Sequence, residues 1–224
     1  MSDNIIELKN ISKSYLQGGQ TIEVIKGASL NVKKGELVAI IGSSGSGKST
    51  FLHIAGLLDR NFSGDVIIGG KSTKKLSESA RDSLRLSKLG FVYQYHHLLK
   101  DFTAIENVIM PALISGVSET DATKRAEQLL SSLGLENRLH NFPGELSGGQ
   151  QQRVAIARSM MNNPNMILAD EPTGNLDSES SQLVIGMFLD LAKKNNLSAV
   201  IVTHNSHLAS KMDSIYNIED GILL

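Results

Sequence analysis

The chain has 224 residues, 41% hydrophobic and 20% charged, with a formal net charge of −1 and no cysteine. That length suits one large domain or a core with a subdomain, and the near-zero charge gives no general attraction to nucleic acid or to anionic membrane. The absence of cysteine excludes disulfides, thiol nucleophiles and Cys-based zinc sites and fits a reducing compartment, while 4% aromatics without tryptophan argue against base-stacking platforms.

The opening Met1-Ser2-Asp3-Asn4 is polar, and Glu7 and Lys9 interrupt the apolar residues after it, so no signal peptide is expected. Ile6, Leu8 and Ile11 mark a first strand; Ile22, Val24, Ala28, Leu30 and Val32, on even positions, mark a second. After the turn Lys33-Lys34-Gly35, the run Leu37–Ile41 is a strand of the kind buried on both faces of a parallel sheet. Phe51, Leu52, Ile54, Ala55 and Leu58 predict a helix over 48–58. Val66-Ile67-Ile68, before Gly69-Gly70, and Leu89–Tyr93 read as strands. From 103 to 161 helical spacing takes over, as in Ala126, Leu129, Leu130 and Leu133. Strands return at 166–169 and 198–203, with a helix near Ser178–Lys194 between them, and Ile215, Tyr216 and Ile218 precede the turn Asp220-Gly221. The pattern predicts an α/β core interrupted by a helical insert of about sixty residues. The longest apolar runs are strand length, short of the ~18–20 residues that cross a bilayer, so a soluble cytoplasmic protein without direct membrane insertion is expected.

Three segments carry chemistry. Gly42-Ser43-Ser44-Gly45-Ser46-Gly47-Lys48-Ser49 matches G-x-x-x-x-G-K-[ST] directly after an apolar strand. Its glycines let backbone N–H groups approach phosphate closely, and the helix beginning near Lys48 aims its positive end at the same place. Lys48 then reaches the β- and γ-phosphates, and Ser49 can place its hydroxyl on Mg²⁺. Asp170, ending the run Met166-Ile167-Leu168-Ala169, supplies a second hard oxygen for Mg²⁺, and Glu171 can orient or deprotonate an attacking water. Ser147-Gly148-Gly149-Gln150 reads as a helix start, with Ser147 as N-cap and Gln150 completing a capping box. Two glycines in a first turn cost helix stability and open the backbone N–H groups, which makes this a second anion site.

With these segments in this order, the chain resembles the ATP-binding-cassette ATPases over essentially its full length, and Leu146-Ser147-Gly148-Gly149-Gln150 is similar to their signature motif. The resemblance implies a P-loop NTPase (RecA-like) core with an N-terminal antiparallel β subdomain and an inserted α-helical subdomain. The core and β parts would be 1–95 and 162–224, and the helical part 96–161. It further implies ATP and Mg²⁺ as cofactors, with Gly42, Ser43, Ser44, Gly45, Ser46, Gly47, Lys48, Ser49 and Thr50 on the nucleotide. A head-to-tail homodimer is implied, in which the signature of one subunit closes over nucleotide held by the other. Gln94 resembles the glutamine that senses Mg²⁺ and the transport partner, and Asn175-Leu176-Asp177 the loop at the subunit interface. His204 resembles the switch histidine on the γ-phosphate, and Tyr15 the aromatic that stacks on adenine.

A narrower resemblance rests on Leu89-Gly90-Phe91-Val92-Tyr93-Gln94-Tyr95-His96-His97-Leu98-Leu99, on Asp101-Phe102-Thr103-Ala104, and on Glu106-Asn107-Val108 with Met110-Pro111. These look like the lipoprotein-releasing (LolD-type) cassettes. The implied role is an ATPase powering lipoprotein release from the bacterial inner membrane, peripheral on its cytoplasmic face, through separate transmembrane subunits. Sister export (macrolide- or peptide-type) and cell-division cassettes are the alternative. The membrane subunits would dock near 94–102, from Gln94 to Phe102, where Tyr95, Leu98, Leu99 and Phe102 either form the docking surface or pack inside the insert. Asn205 departs from the aspartate more usual after the switch histidine and leaves His204 intact.

Other sites are weaker. Adjacent His96 and His97 point apart, and His204 and His207 lack a third ligand, so zinc is not expected. Lys71, Lys74, Lys75, Arg81 and Arg85 interleave with Glu78 and Asp82 and read as a solvated face. A chromosome- or repair-type ATPase would need a coiled-coil insertion, and no sustained heptads are present. A binding-only adaptor would be expected to lose Lys48, Asp170 or Glu171, and all three are present.

Overall fold

The computed structural model describes residues 3–224, so Met1 and Ser2 of the polar opening lie outside the described residues. A long hairpin of β1 (Asn4–Gln17) and β2 (Gln20–Lys33) leads into β3 (Leu37–Ile41) and α1 (Lys48–Ala55). Then come β4 (Ser63–Ile68), β5 (Lys71–Ser72), α2 (Glu78–Lys88) and β6 (Leu89–Tyr93). Three helices follow, α3 (Ala104–Ile114), α4 (Glu119–Ser132) and α5 (Gly148–Ser159), before β7 (Met166–Asp170). The chain closes with α6 (Ser178–Lys194), β8 (Ser198–Val202), α7 (Ser206–Ala209), β9 (Ser214–Glu219) and β10 (Ile222–Leu223). Among the described residues no helix is long and apolar enough to cross a membrane.

The strands make two sheets: β2-β1-β4-β5, paired antiparallel, and β10-β9-β3-β8-β7-β6, parallel except for β10 against β9. In the second sheet alternate side chains enter two different cores. Val38, Ile40, Leu168, Val200 and Val202 pack with α1 and the antiparallel sheet, whereas Leu37, Ala39, Ile167, Ala169 and Ile201 pack with α3, α5 and α6. Burial on both faces explains why these strands are unbroken apolar runs rather than alternating ones. Register aligns Tyr93, Asp170, Val202 and Ile40 across β6, β7, β8 and β3, so the loops after these four strands leave the sheet along one edge. Ligands of open parallel sheets bind at that carboxyl edge.

Two expectations are corrected. Even positions of β2 hold the core only at Ala28, Leu30 and Val32; Ile22 is exposed and Ile25 is buried. Register shifts at Leu8/Ile11 and Ile11/Lys13, with Gly27 at φ 67°, bulge the hairpin, and an extra residue reverses which face a side chain takes. The basic stretch is not uniformly solvated. Lys71, Lys74 and Lys75 are exposed, but α2 buries Arg81. Arg81 donates to the Asp59 carbonyl (3.3 Å) and Arg85 to the Leu57 carbonyl (2.8 Å), so both tie α2 to the chain that follows α1.

The loop between β6 and α3 is built around one amide. Asn107, 1% exposed, accepts from the Leu99 N–H (2.8 Å) and donates toward the carbonyls of Leu99, Phe102 and Thr103 (2.9–3.1 Å). Thr103 and Glu106 add a capping box at the start of α3. This scaffold leaves Tyr95, Leu99 and Phe102 exposed, while Leu98 packs partly against the helical core. Asn107→Ala should lower unfolding free energy by about 1–3 kcal/mol, since it strands polar groups of the 99–103 backbone. Chemical denaturation checks this, and an unchanged midpoint and slope would show that the loop has other support.

Candidate nucleotide site

The turn from β3 into α1 closes on itself. Lys48, 8% exposed, donates from Nζ to the carbonyls of Gly42 (2.9 Å) and Ser43 (2.7 Å), so its ammonium lies within the loop. Gly47, the N-cap of α1, has φ 102°, and a Cβ there would meet Val24 O at 2.8 Å and Ile25 Cδ1 at 2.7 Å. A Cβ on Gly42 would lie 2.3 Å from the Ile218 carbonyl. Both glycines are therefore required by the close approach of neighbouring backbone. No side chain caps the start of α1, so its first N–H groups have no side-chain acceptor, and Ser46 Oγ is buried without a hydrogen-bond partner. A buried orphan hydroxyl beside an uncapped helix start and a buried ammonium fits an anion with several oxygens.

The loop lines a cavity of about 630 Å³ that also receives Gln94, Asp170, Glu171 and His204. The structure thus brings Gly42, Ser43, Ser44, Gly45, Gly47, Lys48, Ser49 and Thr50 together with the residues that follow β6, β7 and β8. Glu171 takes φ 45°, an uncommon conformation for a residue with a side chain. Its N–H is held by the Val202 carbonyl at 2.8 Å. Its carboxylate accepts from Thr203 Oγ1 on Oε2 (3.0 Å) and meets His204 Nδ1 on Oε1 (2.7 Å). The strained backbone is stabilised by these three contacts, and such strain concentrates at functional sites. Because Nδ1 is engaged by the carboxylate, Nε2 of His204 is left for another group.

A divalent cation fits this donor set. Ser49, Asp170 and Gln94, each carrying a side-chain oxygen, line the same cavity, with only one carboxylate among them. Among the described residues no cluster of three His, Cys, Asp or Glu could hold a metal by itself. That is the arrangement for Mg²⁺, which keeps water and takes substrate phosphates as further ligands.

Ser46, buried, is not part of the cavity lining, and two predicted elements lie apart from the loop altogether. Tyr15 is 44% exposed; its ring carries Lys13 Nζ at 4.7 Å from the centroid, and its hydroxyl lies 3.4 Å from Asp59 Oδ2. Burial would raise the Asp59 carboxyl, but the hydrogen bond and charge of Lys13 and the Asn61 N–H together hold it below its ordinary value. Ser147, Gly148, Gly149 and Gln150 also lie apart, at the start of α5, where the Ser147/Gln150 capping box forms as the spacing required.

Sequence reasoning missed what holds that helix start. His96 Nε2 lies 2.9 Å from the Gly148 carbonyl, and a carbonyl can only accept, so Nε2 carries the proton. Burial lowers the His96 pKa, opposed by that hydrogen bond, and nearby Arg158 and His97 lower it further, which favours the neutral ring. Arg158 of α5 donates to the carbonyls of His97 (2.7 Å) and His96 (2.8 Å). No spacing rule couples His96 to Gly148, so only the fold reveals the contact.

The ABC transporter family pattern matches residues 25–174 of this chain. A lipoprotein-releasing system ATP-binding protein LolD from Rickettsia bellii is 56% identical over all of this chain and 99% of its own length. Its counterpart from Novosphingobium aromaticivorans is 50% identical over the whole of both. Among solved structures, the dimeric bacterial ABC transporter cassette MJ0796 superposes with a TM-score of 0.90 at 40% identity, covering 97% of this chain and 96% of that one. A dimeric post-hydrolysis state of the same cassette, bound to ADP and phosphate, matches equally well.

Proposed function

The chain belongs to the ABC transporter family, and we propose that it is the ATP-hydrolysing subunit of a lipoprotein-releasing transporter, working as a homodimer on separate membrane subunits. The observation that carries the reading is the convergence of Lys48, Asp170, Glu171 and His204 on one cavity at the carboxyl edge of the sheet. Full-length relatives at 50–56% identity carry the lipoprotein-releasing name, which favours that role over sister export or cell-division cassettes.

In this reading the loop N–H groups and Lys48 hold the phosphates, with Lys48 exchanging loop carbonyls for phosphate oxygens, and Ser43, Ser44, Ser46 and Thr50 complete the loop's contacts. Ser49, Asp170 and Gln94 would hold Mg²⁺, which would neutralise charge on the phosphates. Glu171, fixed by Thr203 and His204, takes the proton of the water whose oxygen bonds the terminal phosphorus while the bond from that phosphorus to the bridging oxygen breaks and ADP leaves, and His204 Nε2 faces that phosphate. Tyr15 offers the ring side not covered by Lys13 to adenine.

Ser147, Gly148, Gly149 and Gln150 lie outside their own subunit's cavity, and a second copy placed head to tail would bring them to the terminal phosphate. The dimeric state of the 40% identical cassette supports a homodimer here. We divide the chain into core and β parts at 1–95 and 162–224 and a helical part at 96–161. The subunit would sit peripherally on the cytoplasmic face of the bacterial inner membrane. Docking of the membrane subunits near 94–102 is supported by exposed Tyr95, Leu99 and Phe102. A neighbouring groove of about 520 Å³, lined in part by Leu86, Tyr93, Pro111 and Ile114, suits a short amphipathic helix.

Glu171→Gln should keep ATP affinity and slow hydrolysis by about 10²–10⁴-fold, the worth of a positioned base. It should also accumulate as an ATP-bound dimer in light scattering; near-normal turnover would sink the assignment of Glu171. Leu98 packs partly into the core, so Leu99 is the cleaner docking probe. Leu99→Asp should stay soluble with unchanged basal turnover yet fail to co-purify with its membrane subunits, and retained co-purification would place docking elsewhere.

A further inference from the structure

Gln94 and Asn175, 81 positions apart, hold one another through two hydrogen bonds. Gln94 Nε2 donates to Asn175 Oδ1 at 2.9 Å, and Asn175 Nδ2 donates to the Gln94 backbone carbonyl at 3.1 Å. The second bond decides the first. A backbone carbonyl can only accept, so the NH₂ of Asn175 must point at it, which turns Asn175 Oδ1 toward the Gln94 side chain. An amide oxygen in turn can only accept, so Gln94 must present its NH₂ there. The Gln94 Oε1 is the end left over, with no hydrogen-bond partner among the described residues, and Gln94 lines the cavity beside Ser49 and Asp170.

The turn is shaped for this contact. Gly174 N–H bonds the Glu171 carbonyl at 3.0 Å, which closes the chain directly after Asp170. A Cβ on Gly174 would lie 3.0 Å from Gln94 Nε2 and 3.2 Å from its Cδ, so glycine leaves the space the amide occupies. One short turn therefore carries Asp170 at its start and the residue that orients Gln94 at its end.

We propose that Asn175 is a positioning residue that fixes the amide of Gln94 so that oxygen, not nitrogen, faces the cation side of the phosphate cavity. Without it the side chain is free to leave this rotamer and its amide to flip, so few of its orientations bring Oε1 to the cation, and NH₂ cannot ligate one. Partners of this kind, one step removed from the metal, are worth about 10–100-fold in metal affinity. The inference rests on Gln94 being a cation ligand.

The test uses the full chain with Mn²⁺ and the non-hydrolysable β,γ-imido analogue of ATP, reading free Mn²⁺ by electron paramagnetic resonance. Asn175 is exposed, so its replacement leaves the core intact. Asn175→Ala should weaken Mn²⁺ binding about tenfold, with affinity for the analogue in chelator unchanged. A carboxylate presents oxygen from either face, so in a Gln94→Glu background Asn175→Ala should have no effect on Mn²⁺ affinity. Unchanged Mn²⁺ affinity in the wild-type background overturns the inference, and so does an equal loss in both backgrounds, which would mark a structural role. Gln94→Ala separates the two layers. If it binds Mn²⁺ like the parent, the ligand reading itself fails; if it binds weakly while Asn175→Ala does not, only the orienting role fails.

Discussion

A buried ammonium without a carboxylate is the constraint on which the site depends. Lys48 is almost fully covered, and two loop carbonyls are its hydrogen-bond partners. Carbonyl dipoles offset only part of the cost of removing a full charge from water. The first N–H groups of α1 and the orphan hydroxyl of Ser46 add unmatched donors at the same place. An anion supplies what all of them lack, so nucleotide binding and stability of this turn are linked. The sheet directs this demand. Parallel pairing of β3, β8, β7 and β6 brings Thr203, His204, Asp170, Glu171 and Gln94 to the same edge, and no further element is needed to assemble them.

Around that edge, one segment is hydrogen-bonded to three others. Residues 94–99 are bonded to the turn after β7 through Asn175, to the start of α5 through His96, and to the last turn of α5 through Arg158. Asn107 fixes the far end of the same segment to α3. Exposed Leu99 and Tyr95 thus lie on the segment whose neighbouring residues bond Gly148 and Asn175 directly. The hydrogen-bonded route from these exposed side chains to the start of α5 and to the turn after β7 is short and contiguous.

Much of this was legible in the chain because it depends on local rules. The run Leu37–Ile41 followed by glycine-rich Gly42 to Ser49 specifies a strand, a turn and a helix start, and Ser147 with Gln150 specifies a cap; both form as read. The misreadings have tertiary causes. α2 is stabilised by Arg81 and Arg85 reaching carbonyls of another segment, which no charge count reveals. Ile25 enters the core in place of Ile22 because bulges in β1 and β2 shift the register. Asn107, a polar residue in an apolar helix, is explained only by the loop folded over it. Tyr15 and Ser147 stand outside the cavity of the single chain, and no local rule in the sequence says how far from the phosphate loop the fold sets them.

Steady-state ATP turnover by Ser147→Arg tests the proposed sharing of the site between subunits most directly, with nucleotide binding to the same variant as its control. Loss of the cap costs about 0.5–2 kcal/mol and leaves Lys48 and its loop untouched. If the start of α5 acts on phosphate held by a second copy, binding stays near normal while turnover falls by at least about 10²-fold, the scale for losing a preorganised donor at the reacting group. Turnover equal to the parent's would mean that Ser147 only caps a helix, and that the site is complete within one subunit.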